Sequence, residues 1–150
     1  MVAFPSVEWF EEVARAHGAD RERLKRLGYV DAKVGILVEE DAGRTEGYVL
    51  EFAGYGPSAV REVKDPVAES DFAIAGDLAA WREMIENIAA NGEPDLDHTL
   101  NRLTMAGTPL RLVAADQLKQ DLFFRFNQSF QAFFDASASV STEFPELAPV

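Results

Sequence analysis

Tyr29-Val30-Asp31-Ala32-Lys33-Val34-Gly35-Ile36-Leu37-Val38-Glu39-Glu40 decides the fold class. Val30, Ala32, Val34, Ile36 and Val38 alternate with Asp31, Lys33 and Glu39, the period of two expected of a strand with one buried face. Asp41-Ala42-Gly43-Arg44 reads as a turn, and Gly47 to Ala53 as a second strand with Tyr48, Leu50 and Phe52 on one side. Gly54-Tyr55-Gly56-Pro57 is another turn. Ser58 to Lys64 is a third strand, broken by Asp65-Pro66, and Asp71 to Ala75 is a short fourth. Strands this closely spaced predict an antiparallel meander.

Helical periodicity surrounds the meander. Ser6 to His17 reads as a helix with Ser6 as N-cap and Gly18 at its close. Trp9, Phe10, Val13 and Ala14 share one side of it. A short second helix follows from Asp20 to about Leu27. Downstream, Asp77 caps a helix to about Ala90, with Leu78, Trp81, Met84, Ile85 and Ile88 in one stripe. Asn91-Gly92-Glu93-Pro94 ends that helix. Asp97 to about Leu103 reads as a short helix, and Leu110 to Val113 as a fifth strand. Asp116 then caps a long last helix to about Ala136, which holds six of the eleven phenylalanines. Leu118, Leu122, Phe123, Phe126, Phe130, Phe133 and Phe134 fall on one arc of about 160°. Lys119 projects within that arc, Arg125 lies just off its edge, and Phe124 points from the polar side. Residues 137–150 mix Ser, Pro and small side chains and read as a loose tail. The expected organisation is one domain: a helical lead-in over 1–28, the main body over 29–136, and the tail.

Bulk properties narrow the function. The chain has 150 residues and a formal charge of −12. That length suits one domain with a sizeable core. The charge argues against nucleic acid, which needs a basic stripe, and against anionic membranes. There is no cysteine, which excludes disulfides, thiolate catalysis and zinc–thiolate sites. Met1 to Glu8 has neither a basic nor an apolar leader region, and no apolar run approaches the ~20 residues that span a bilayer. The expected location is the cytoplasm, with no stable membrane insertion.

Catalytic motifs are weak. Gly54-x-Gly56-x-x-Ala59 follows a strand, but Pro57 and another strand come next, where a dinucleotide site needs a helix N-terminus. His17 lies near the middle of its helix's apolar stripe, in the last turn, and reads as a packed residue or a helix-end contact. His98 lies near Asp95, Asp97 and Asn101 and reads as a solvated helix start rather than a metal site. No carboxylate sits alone in an apolar stripe, as an acid–base pair would require. Arg21-Glu22-Arg23-Leu24-Lys25-Arg26 reads as a solvated helix face. No catalytic residue, metal or cofactor is expected. The aromatic arc has two readings, core packing against the sheet or the wall of an apolar ligand pocket. In the second, Lys119 and Arg125 offer a positive charge to a carboxylate at the pocket mouth.

The order of elements resembles the sterol carrier protein (sterol-binding or lipid-transfer) domain, in particular its small bacterial single-domain members. The resemblance is carried by Ser70-Asp71-Phe72-Ala73-Ile74-Ala75-Gly76-Asp77 followed by Trp81, and by Leu110-Arg111-Leu112-Val113-Ala114-Ala115-Asp116 before the last helix. Phe4-Pro5-Ser6-Val7-Glu8-Trp9-Phe10 resembles the family's lead-in. It covers about residues 29–134. It implies an α/β (α+β) domain with a five-stranded, mainly antiparallel sheet covered by helices. It also implies an apolar tunnel for a fatty acid, acyl-CoA or sterol-like lipid. The matching apolar positions are Trp81, Met84, Ile85 and Ile88 on the middle helix and Phe123, Phe126, Phe130 and Phe133 on the last. The chain departs from the family pattern in Ala115 before Asp116, where the family has Gly, in a longer Asn91 to Thr108 connection and in a longer, Phe-richer last helix. The C-terminal Ala148-Pro149-Val150 is not a peroxisomal address.

The reading is therefore a non-catalytic carrier of an apolar small molecule. One rival is a small enzyme on the cone-shaped fold of ketosteroid isomerases and epoxide hydrolases, whose sheet mostly follows its helices. Another is a homodimeric interaction module using Phe124 and the aromatic arc.

Overall fold

The computed structural model describes residues 1–40, 43–54, 56–105 and 109–144. In chain order its elements begin with β1 (Val2–Ala3), α1 (Val7–Gly18), α2 (Arg21–Leu27), β2 (Val30–Glu39), β3 (Thr45–Gly54) and β4 (Pro57–Val63). They continue with β5 (Phe72–Asp77), α3 (Leu78–Asn91), α4 (Leu100–Thr104), β6 (Arg111–Ala114), α5 (Gln117–Asp135), a 3-10 turn (Ala136–Ser139) and β7 (Thr142–Glu143). The turns at Asp41–Arg44 and Gly54–Pro57 each include residues outside those described.

β2, β3 and β4 form the expected antiparallel meander, with Val30 opposite Gly54 and Gly47 opposite Val63. The fourth strand departs from it. β5 returns to the free side of β2 and pairs with it in parallel, Val34 opposite Phe72 and Glu39 opposite Asp77. With β6 antiparallel to β5, the sheet order is β4-β3-β2-β5-β6. The return path crosses the outer face of the sheet, where Gly35 and Gly47 leave room for it. A methyl on Gly35 would stand 2.7 Å from the Pro66 carbonyl oxygen, and one on Gly47 would stand 2.8 Å from the Pro66 ring. Asp71 closes the crossing by accepting from the Lys33 amide and donating its own amide to the Lys33 carbonyl, both at 2.8 Å.

Each helix starts where a short polar side chain accepts an otherwise unpaired amide. Ser6 accepts from Trp9, Asp20 from Arg23, Asp77 from Ala80, Thr99 from Arg102 and Asp116 from Lys119. Gly92, at φ 78°, ends α3 and donates to Ile88. Gly18 does not end α1 in that way: it is the last helical residue, and Ala19 leaves in a right-handed conformation. α4 begins three residues later than the sequence suggests, because Thr99 and not Asp97 provides the cap.

The core lies on one face of the sheet. Val30, Ala32, Val34, Ile36 and Val38 of β2, and Tyr48, Leu50 and Phe52 of β3, join Phe72 and Ile74 of β5 in a single cluster with α1, α3 and α5. Trp81 anchors α3 by donating from its indole Nε1 to the Leu37 carbonyl at 3.2 Å.

Two expectations are corrected. α5 is not one straight amphipathic helix, because Phe126 has φ −115° and ψ 17° and breaks it into two segments. In the first segment Leu122 and Phe123 still pack against the core while Leu118 is 81% exposed, so only part of the expected arc is buried there. The segment over 137–144 is not loose. Ser137 is buried, and Thr142–Glu143 pair in parallel with Val2–Ala3. The Trp9 indole donates to Thr142 Oγ1 at 2.9 Å, which gives the segment a fixed seat. Residues 145–150 of the expected tail lie outside the described residues.

Candidate functional site

The candidate site is the space between the inner sheet face and α5. From the sheet come Phe52 and Phe72, placed inward by strand alternation. From α5 come Phe123, Phe130 and Phe133, all essentially buried. Their rings touch. Phe130 lies 5.2 Å from Phe52 and 5.4 Å from Phe72, and Phe123 lies 5.8 Å from Phe72. Phe133 reaches Phe52 at 6.1 Å and stacks on Phe10 at 6.5 Å. These edge-on and tilted pairs are the favoured aromatic geometries, and the rings fill the region between the sheet and α5.

The expected α3 residues are present in the same cluster. Trp81, Met84, Ile85 and Ile88 are all buried. Their link to the α5 rings is Phe134, 5.7 Å from Trp81, and Phe134 also approaches Trp9 at 6.3 Å. Phe4 completes that side, 4.8 Å from Trp9 and 6.5 Å from Trp81. Phe4, Phe10, Tyr48, Phe52, Phe72 and Phe134 were not among the expected site residues. The alternation of β3 and β5 points to Phe52 and Phe72. Phe4 lies outside any periodic element, so periodicity does not mark it, and only the resemblance of the stretch from Phe4 to Phe10 to the family's lead-in includes it.

The remaining expected residues sit at the edge of the cluster. Phe126 is half-buried at the break in α5, and the Arg125 guanidinium lies over its ring at 5.3 Å. Arg125 is exposed, and Lys119 is partly buried one turn into the helix. The structure thus joins the apolar residues in one cluster and leaves the two cations on its outer margin.

The two histidines differ in environment. His17 is 4% exposed, packs edge-on against Phe133 at 6.0 Å, and its Nε2 has no partner among the described residues. Burial, aided by the nearby Arg23 charge, pulls its pKa down from 6.5 to about 4. It is a neutral packing residue, as its place in the stripe suggests. His98 is more than a solvated helix start. Its Nδ1 lies 2.6 Å from Asp95 Oδ1 and its Nε2 lies 3.0 Å from Glu83 Oε1, so it ties the loop before α4 to α3. Hydrogen bonds to Glu83 and Asp95 raise its pKa. Among the described residues no group of three His, Asp or Glu is arranged to hold a metal, and no helix is long and apolar enough to cross a membrane.

The outer side of α5 carries two adjoining grooves. One, of about 390 Å³, lies between α2, α4 and the second segment of α5. The other, of about 280 Å³, lies at the break and includes Phe124, Arg125 and Phe126. Leu27, Asn127 and Gln128 line both. In the larger groove Asp135 accepts from Gln131 at 2.8 Å and faces Arg23 at 3.4 Å. Burial raises the Asp135 pKa, and these two contacts oppose the rise.

Solved structures share this architecture. Sterol carrier protein 2 superposes with a TM-score of 0.69 over 91% of this chain and 98% of its own, at 18% identity. A conserved hypothetical protein from Thermus thermophilus superposes with a TM-score of 0.66 over 92% and 90%, also at 18% identity. No protein-family profile matches the sequence, and no curated protein does. The fold is that of the sterol carrier proteins, with the five-stranded sheet and C-terminal helix that the sequence implied.

Proposed function

Starting from a fold shared with sterol carrier protein 2, we propose that this protein is a non-catalytic carrier of an apolar lipid, a fatty acid, acyl-CoA or sterol-like molecule. The ligand lies between the inner sheet face and α5. The observation that carries the reading is the continuous aromatic cluster formed by α5 and the sheet within that fold. Burying an acyl chain stabilises the complex by roughly 0.8 kcal/mol per CH₂, and ring displacement offsets part of that gain.

The wall that yields is the first segment of α5. Its only fully buried large side chain is Phe123, Leu118 and Phe124 are exposed, and the helix is already broken at Phe126. An outward swing of residues 117–125 about Phe126 separates Phe123 from Phe72 and leaves the Phe130–Phe134 half in place. Arg125, at the pivot, meets a ligand carboxylate, with Lys119 further along the same segment. A dimer built on Leu118 and Phe124 is less favoured, because six residues on a helix place them about 120° apart.

The first experiment is organic extraction of the denatured, cell-purified protein followed by mass spectrometry. A stoichiometric lipid supports the carrier reading and names the ligand class. The second is uptake of a fluorescent fatty acid by Phe126→Asp and Phe130→Asp. Phe126→Asp places its charge at a half-exposed position, so it tests the site without emptying the core. In Phe126→Asp uptake is expected to vanish with the circular dichroism unchanged, whereas Phe130→Asp buries a charge and is expected to destabilise the fold as well. Undiminished uptake in a folded Phe126→Asp protein would overturn the placement.

A further inference from the structure

The larger outer groove has a chemistry unlike that of the core. Asn101, Asn127 and Gln128 line it, the first and last exposed and Asn127 partly buried, and none of their carboxamide side chains has a hydrogen-bond partner among the described residues, so all three are open to a ligand. Each carboxamide carries both donors and acceptors. The two ionic groups present, Arg23 and Asp135, face each other and leave the groove close to neutral. Leu27 gives it one apolar surface, and Phe124 and Phe126 lie in the adjoining groove at the break in α5. Its volume, about 390 Å³, is within the range of small-molecule sites.

Each feature excludes a ligand class. A phosphate or carboxylate would have to share the single Arg23 guanidinium with Asp135, whose charge opposes it, in a chain of charge −12. A purely apolar ligand would strand three carboxamides and an ion pair away from water, and each unpaired polar group is costly. The remaining fit is a neutral molecule with several adjacent donors and acceptors and an apolar side. Vicinal hydroxyls on a ring have that character: the oxygens pair with carboxamides, and the C–H face packs on leucine.

We infer that the groove between α2, α4 and α5 is a binding site for a polyhydroxyl group of the sugar or cyclitol type, held by Asn101, Asn127 and Gln128. The group arrives either as a free sugar or as the head group of a glycolipid whose apolar part runs along Phe124 and Phe126. This goes beyond the carrier reading and stands without it, since none of the groove residues belongs to the apolar cluster between sheet and helix.

The test is a titration of the whole protein followed by the side-chain NH₂ and nearby backbone signals in nitrogen–proton NMR. The probes are methyl glycosides of glucose, galactose and mannose, myo-inositol, and octyl glucoside below its micelle concentration. Saturable shifts at Asn101, Asn127 and Gln128 with the methyl glycosides or inositol establish a free-sugar site. Shifts with octyl glucoside but not with octanol, whose tail alone can enter the apolar site, establish a glycolipid head-group site. Asn127→Ala combined with Gln128→Ala is expected to weaken the binding about tenfold or more, read on the backbone amides of 129–131. Uptake of the fluorescent fatty acid by that variant is expected to be unchanged, which separates this site from the core. No shift with any probe, or equal binding by the folded double variant, overturns the inference.

Discussion

His17 is the residue at which acid meets the core. Its folded pKa of about 4 lies below the unfolded 6.5, so the unfolded chain binds more protons between those values. Stability linked to His17 is complete above pH 6.5 and is lost as the pH falls towards 4, by roughly 3 kcal/mol at most. Asp135 acts oppositely in acid: its pKa is raised in the fold, so protonation there favours the folded state. His98 works in the adjoining range. Its pKa is raised, so its contribution is complete below the unfolded value and fades as the pH rises through the folded one. The His17 effect is isolated by comparing the native chain with His17→Gln in urea unfolding at several pH values. The variant is expected to lose much of the fall between pH 6.5 and 4, and parallel curves for the two proteins would show that another group is responsible. His17's place in the helix stripe was readable from sequence. The two carboxylates around His98 were not both readable, because Glu83 reaches it from a different helix.

α5 shows how far periodicity reaches at the scale of an element. Its cap, its length and its inward phenylalanines follow from spacing alone. The break at Phe126 does not, since neither Pro nor Gly is present to signal it. The sequence assigns Leu118 and Phe123 to one buried arc, but five residues place them about 140° apart on the same segment, and the structure exposes the first and buries the second. Their truncations are expected to differ accordingly. Phe123→Ala removes the ring facing Phe72 and should cost about 3–5 kcal/mol. Leu118→Ala should change stability by less than about 0.5 kcal/mol. Similar losses for both in thermal or denaturant unfolding would mean that the first segment packs more tightly than its exposure indicates. A similar limit applies to β5. Its alternation is local and legible, but its parallel pairing with β2 depends on Pro66 crossing above Gly35 and Gly47, a contact between distant segments.

For the whole molecule, the five-stranded sheet with helices on one face was legible because three strands and three helices each carry a strong period of their own. The pairing of the two ends was not, because β1 and β7 are two residues each and carry no period. That small pairing holds a large hydrophobic group. Phe4 is buried against Trp9 and Phe144, and Trp9 is bonded to Thr142. Removing residues 140–150 is expected to destabilise the protein by about 1.5–3 kcal/mol, the order of exposing one phenylalanine, and to raise the fluorescence sensitivity of Trp9 to quenchers. Unchanged stability and quenching would show that the pairing is dispensable. The same pairing sets an order of events on the ribosome. Trp9 and Thr142 are 133 residues apart, so that side of Phe4 and Trp9 stays uncovered until the distant segment has been synthesised, while a nascent chain is most open to chaperones and to other chains.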